Sequence, residues 1–171
     1  LEDAVDDEAL NASDFRVNPL IDLENQYSYN ITNLIEGNGY VSYDINKDLV
    51  LKSTAGIRHN KLTLERFYNS KTAQGGPSPN NVNGVNGSIN NIFSNSFSNE
   101  TTLNYKKTFK QDHTITGLGL FAINSINSSS KGYGGRLLPN ENLGMDGLDE
   151  GLAFNQSSSS SRNTMASYAG R

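Results

Sequence analysis

Few residues in this chain have the type and spacing to do chemistry. Histidine is the side chain that exchanges protons near neutral pH and most often binds metals. His59 and His113 stand far apart, each among polar residues at the margin of a strand pattern, and both read as exposed polar side chains. Serine is abundant, yet no Gly-x-Ser-x-Gly elbow presents one as a nucleophile. Asp146, Asp149 and Glu150 gather in the stretch Asn142–Glu150. Oxygen-rich loops can hold Ca²⁺, but this spacing does not follow the calcium-loop pattern. A solvated acidic loop is the expectation, with no metal and no cofactor. Tyr133 and Arg136 flank glycines in Gly132-Tyr133-Gly134-Gly135-Arg136. They offer an aromatic face for stacking and a fork of donors, suited to a sugar or a peptide; the competing reading is that they anchor their own loop by packing. No acid, base and nucleophile converge, so a non-enzymatic role is expected.

The elements that would position these residues are sheet and turn rather than helix. Hydrophobic residues make up 35% and charged residues 19%, both below the usual share for a soluble globular domain. Uncharged polar residues fill the gap: 24 Asn and 20 Ser, with 16 Gly and 4 Pro. Asn and Ser side chains bond nearby backbone and favour turns, which argues against a large helical core. The net charge of −4 and the lack of a basic patch with interleaved aromatics exclude a nucleic-acid surface. With no cysteine there is no disulfide framework, cysteine-based zinc site or thiol nucleophile. No apolar run approaches the ~18 residues of a membrane helix. Leu1–Asn11 carries Glu2, Asp3, Asp6, Asp7 and Glu8, the reverse of the basic start of a secretory signal. This start is therefore expected not to be the native N-terminus.

Residues 1–24 read as an acidic, irregular segment or loop, in which Asp3–Leu10 could form a short helix that Asn18-Pro19 ends. Residues 25–171 read as strands near 27–45, 49–67, 93–109, 113–126 and 163–171. Val41, Tyr43 and Ile45 alternate with Tyr40, Ser42 and Asp44; Leu103 and Tyr105 alternate with Asn104 and Lys106; Leu118, Leu120 and Ala122 alternate with Gly117, Gly119 and Phe121. Short turns fall at Asn46–Asp48 and Gln111-Asp112. Long loops fall near 69–88, rich in Asn-Gly and Gly-Pro breakers, and near 127–161, with its serine runs.

Short turn, long loop, short turn, long loop is the connection order of an antiparallel transmembrane β-barrel, whose strands cross the bilayer in ~9–11 residues. Glu36–Ile45 and Leu49–Arg58 have that length. The expected fold class is thus all-β: an antiparallel meander forming part of a transmembrane barrel with long extracellular loops. Lys52, Arg58 and Lys106, on the polar faces, are expected to face the lumen. A soluble β-sandwich binding module, carbohydrate-binding or adhesin-like, alternates in the same way. It would carry two unstructured loops of a length uncommon in compact domains.

The series Asn18-Pro19-Leu20, Glu36–Tyr43 (EGNGYVSY), Leu51–Gly56 (LKSTAG), Glu100–Tyr105 (ETTLNY), His113–Leu118 (HTITGL) and Ser167–Arg171 (SYAGR) resembles the barrel region of SusC/RagA-type TonB-linked outer-membrane proteins of Bacteroidota. No single motif decides this; their order and spacing do, over nearly all of the chain after residue 18. The resemblance implies a large barrel of ~22 strands closed by a plug. It further implies import of oligosaccharides or peptides across the outer membrane, a SusD-like surface lipoprotein as lid, and energy from the TonB complex. The chain departs from the family in showing no plug, no TonB-contacting segment and no closing strand. Five strands cannot close such a barrel, and open edges are not tolerated in lipid. It is therefore expected to be a stretch of a longer polypeptide, the further alternative being a barrel fragment held as substrate by an assembly machine.

Overall fold

The computed structural model describes residues 17–79, 81–110 and 113–171. A short helix α1 (Pro19–Asn25) is followed by β1 (Gln26–Asn46), β2 (Leu49–Tyr68), β3 (Asn86–Phe109) and β4 (His113–Arg136). A 3₁₀ segment (Glu141–Glu150) and β5 (Leu152–Gly170) complete it. The strands form one sheet in the order β1-β2-β3-β4-β5, an antiparallel meander. A two-residue connection between β1 and β2 leaves no other choice, because parallel strands need a crossover of a dozen residues or more. In that turn the Asp48 N–H donates to Asn46 Oδ1 at 2.9 Å.

Several boundaries differ from the sequence expectation, and each has a physical reason. Asn18-Pro19 starts a helix instead of ending one: the Asn18 side chain accepts from the Leu20 N–H and Pro19 sits at the first helical position. There a missing N–H costs nothing and a fixed φ helps. The expected Asp3–Leu10 helix and the Gln111-Asp112 turn lie outside the described residues. The loop expected near 127–161 is shorter, because β4 runs to Arg136 and β5 begins at Leu152. Ser128–Ser130 and Ser157–Ser161 are therefore strand residues. Ladder pairing with a neighbour overrides their turn preference. In the same way β3 begins at Asn86-Gly87, which reads as a turn signal. A Cβ on Gly87 would lie 2.9 Å from Arg66 O and 2.7 Å from Leu148 Cδ2, so this glycine permits close packing and not a reversal.

The described residues divide into two compact units. One contains 17–30, Thr63–Asn90 and Gly132–Ser157; the other contains Ile31–Leu62, Asn91–Lys131 and Ser158–Arg171. The first unit holds the buried apolar cluster of Phe67, Leu138 and Leu148, against which Val85, Ile89 and Met145 pack.

In the second unit, no large apolar side chain among the described residues is buried. Its sheet has two distinct faces. Lys52 Nζ lies 4.6 Å over the Tyr40 ring and Arg58 Nε lies 3.8 Å from Glu36 Oε2. A Cβ on Gly56 would meet both Asn38 and Ser98. Even-numbered residues of β1, β2 and β3 therefore share one face, and it is mainly polar. Odd-numbered residues share the other, where Val41 (72% exposed), Tyr43, Ile57 and Leu103 stand open. The glycines of β4 fix its register: Cβ positions at Gly117 and Gly119 approach Tyr105 Cβ and Leu103 Cβ at 3.8 and 3.9 Å. Phe121 accordingly joins the apolar face. Leu118, Leu120 and Ala122 fall on the polar one.

Several polar side chains on the apolar face bond to one another. Ser53 Oγ and Thr101 Oγ1 are 3.0 Å apart, Asn99 Nδ2 donates to Ser53 Oγ at 3.0 Å, and Thr101 donates to Asn99 Oδ1 at 3.1 Å. His59 Nδ1 pairs with Asn95 Oδ1, and Ser125 with Thr164.

Candidate ligand cleft

Within the first unit, one face of the sheet carries a polar cleft of about 460 Å³. Its floor is the end of β2 (Arg66, Tyr68) and the start of β3 (Asn86–Ser88). Its walls are Ala73, Gln74 and Ser78 from the connection after β2, Asn81 and Asn83 just before β3, and Phe154 with Asn155 from β5. The volume falls in the range of small-molecule sites, and amides surround two aromatic rings. Arg66 Nη1 donates to the carbonyls of Tyr29 (3.1 Å) and Glu65 (2.8 Å), and Nη2 to Asn30 Oδ1 (3.0 Å). These acceptors are neutral, so these bonds orient the guanidinium without neutralising it. Asn81 and Asn86 each donate to the Gln74 carbonyl, at 2.9 and 3.0 Å.

Asn69–Gly76 is a self-bonded strap. Thr72 is fully buried; its Oγ1 donates to Asn69 O at 2.8 Å and accepts from the Gly75 N–H at 2.9 Å. A Cβ on Gly75 would lie 2.2 Å from Asn69 O, so a glycine is required there. Besides Asn81 and Asn86, three side chains hold the strap from its other side. Asp22 Oδ1 accepts from the Ala73 N–H (2.7 Å), Asn25 Oδ1 from Asn69 Nδ2 (3.0 Å), and Glu141 Oε2 from the Ser70 N–H (2.8 Å). The Ser70 N–H, with a smaller contribution from Lys71, holds the Glu141 carboxyl below its ordinary value of 4.5. A depressed carboxylate contributes stability above its unfolded value and loses it as pH falls through the folded one. Hydrogen-exchange protection of Ser70, corrected for intrinsic rate, is therefore expected to hold at neutral pH and to decline below about pH 4.5. Protection unchanged down to pH 3 would contradict this.

On the opposite face of the sheet in this unit, a second cleft of about 450 Å³ is lined by Tyr27, Glu65, Phe67, Ile89, Gly144, Met145 and Asp146. Tyr27 stacks on Tyr29 with centroids 4.8 Å apart and donates to Glu65 Oε2 at 3.1 Å. Partial desolvation, then the Glu65 carboxylate, raises its phenol above the usual value.

Tyr133 and Arg136 line neither cleft. Tyr133 donates its hydroxyl to Leu148 O at 3.0 Å, tying β4 to the 3₁₀ segment, and Arg136 lies over the Phe154 ring at 5.7 Å. Tyr133→Phe is expected to lower protection of the amides around Leu148 by about 1 kcal/mol, read by hydrogen exchange. Lys52 and Arg58 lie on the polar face of the second unit; Lys106 lines a hollow of that unit with Asn104, Thr116 and Leu118. Asp146 lines the second cleft, whereas Asp149 and Glu150 are exposed.

Sequence reasoning missed the amide and aromatic lining of the first cleft. The density of Asn over residues 80–91 was the available signal, but Tyr68 and Phe154 come together with it only through strand pairing.

No family model matches the chain. Over 89 residues, 49% of its length, it is 36% identical to TonB-dependent receptor P39 of Formosa agariphila. The aligned stretch spans 8% of that receptor. The likeness supports a relationship to TonB-dependent receptors.

Proposed function

We propose that this chain is a wall segment of a TonB-dependent outer-membrane importer of the SusC-like kind found in Bacteroidota, taking up oligosaccharides or peptides as nutrients. The strands of the second unit cross the membrane, apolar face to lipid, with Lys52, Arg58 and Lys106 toward the lumen. A SusD-like surface lipoprotein serves as lid, and TonB supplies energy through the whole polypeptide. The role is transport and not catalysis. The amide-rich cleft of the first unit, with Tyr68 and Phe154 as stacking faces, suits a neutral polyhydroxylated ligand, and favours an oligosaccharide over a peptide.

The observation that carries this reading is the apolar face of the second unit. Its large side chains stand open, while Ser53, Asn99 and Thr101 bond to one another. Lipid offers no hydrogen bonds, so a polar group facing it must find its partner within the protein. A water-facing sheet has no such need. The test is the intact mass of the natural polypeptide and the fraction that holds it. A membrane-bound species several times heavier than 18.6 kDa, released by detergent, supports the importer. A water-soluble species near 18.6 kDa overturns it and favours a soluble binding module.

A further inference from the structure

We propose that the strap Asn69–Gly76 is a latched wall of the first cleft, held shut by Asp22 and Glu141 and able to swing as a prefolded piece. The proposal rests on reading that cleft as the ligand site, and concerns how access to it is controlled.

The strap has the properties of a rigid body on weak external ties. Its internal bonds centre on buried Thr72 and include Gly76 N–H to Thr72 O at 2.7 Å and Lys71 N–H to Asn69 Oδ1 at 2.9 Å. Its described ties to other segments are polar: on the outer side the Asp22 carboxylate on Ala73, the Glu141 carboxylate on Ser70 and the Asn25 amide on Asn69, and on the cleft side the Asn81 and Asn86 amides on the Gln74 carbonyl, with Asn81 also on Gly76 O at 2.7 Å. Ala73 and Gln74, on the strap itself, line the cleft, whereas Asp22 and Glu141 do not. The two carboxylates therefore act on the wall without touching what the cleft holds. They come from α1 and from the 3₁₀ segment, so the strap is gripped by two elements distant in sequence. Charged acceptors make stronger bonds to backbone N–H than neutral ones, but at an exposed site each bond is modest. That combination suits a latch that opens without unfolding its surroundings. Linkage then makes the coupling reciprocal: a ligand resting on Gln74 tightens the latch, and a loosened latch weakens the ligand. Of the charged groups facing Glu141, Lys71 on the strap favours the ionised form, so acid weakens this half of the latch.

The test uses the whole polypeptide in detergent, with Ser88→Cys on the cleft floor as a reporter and the same polypeptide without this substitution as the labelling blank; these 171 residues contain no cysteine. The probe is a small maleimide, so the readout needs no ligand. Asp22→Ala with Glu141→Ala is expected to raise both the labelling rate of the reporter thiol and the exchange of the Ser70 and Ala73 amides about tenfold, with β3 and β4 amides unchanged. Asp22→Asn with Glu141→Gln, which keeps the shape and removes the charge, should give a smaller rise in the same places. Unchanged labelling in both double variants overturns the latch. So does a rise that spreads through β3 and β4, which would make the carboxylates simple supports of the fold. Failure of the ligand reading would leave these rates as stated and would show instead as no saccharide binding by the wild-type protein.

Discussion

Val41→Arg is expected to destabilise the assembled protein in a bilayer by about 2–4 kcal/mol, while Ser42→Arg, the next residue, changes it by less than about 1 kcal/mol. The two substitutions introduce the same side chain into the same strand. They differ only in face, because successive residues of a strand point to opposite sides. Val41 is 72% exposed on the face that carries Ile57, Leu103 and Phe121. Ser42 shares the face of Tyr40, over which Lys52 already rests. A guanidinium forced toward hydrocarbon loses its hydration and has no carboxylate nearby, whereas one in a watery lumen loses little. Denaturant unfolding of the whole polypeptide refolded into vesicles measures the difference. Equal costs for the two variants would remove lipid from that face, and the importer reading with it.

Gly135→Ala is expected to release the 3₁₀ segment from the sheet at a cost of about 1–3 kcal/mol. A Cβ there would lie 2.3 Å from Leu148 O and 3.3 Å from Leu138 Cδ2. The nearest obstacle is backbone, which cannot rotate away as a side chain tip would. Leu148 must therefore move, and it is one of three buried residues in the apolar cluster with Phe67 and Leu138. The Tyr133 bond to Leu148 O is strained by the same displacement. Limited proteolysis and hydrogen exchange over Glu141–Glu150 read the effect. Gly39→Ala serves as the control, since nothing lies within 4 Å of its added Cβ. Unaltered protection of the segment in Gly135→Ala would show that the loop adapts, and that the cluster is looser than its packing indicates.

The contrast between these two glycines shows how far the sequence could be read. Alternation over Glu36–Ile45 and Leu49–Arg58, with the three-residue turn Asn46–Asp48 between them, forces an antiparallel hairpin on local grounds alone. The all-β class and the polar grouping of Lys52 and Arg58 were legible for that reason. The serine runs, Asn86-Gly87 and Asn18-Pro19 were misleading because their turn chemistry is real but subordinate. The first two are absorbed into strands by ladder bonds from neighbours distant in sequence, and the third starts a helix. Nothing in the order of residues distinguishes Gly39, which meets open space, from Gly135, which meets Leu148 backbone. That depends on which segment folds across β4.

The candidate site follows the same division. Composition marks residues 80–91 as rich in amides, but the cleft needs Arg66 and Tyr68 from β2 and Phe154 from β5 beside them. Tyr133 and Arg136 carry ligand-like chemistry in the sequence and are engaged with Leu148 and Phe154 in the fold. Periodicity and turn spacing, both local, determined by themselves that this chain is a meander of amphipathic strands with polar connections. Register, the pairing of polar groups on the apolar face, and the strap held by Asp22 and Glu141 were decided only by tertiary structure. Each depends on a contact between residues far apart in the chain, and the free energy of such a contact exists only once the sheet has brought them together.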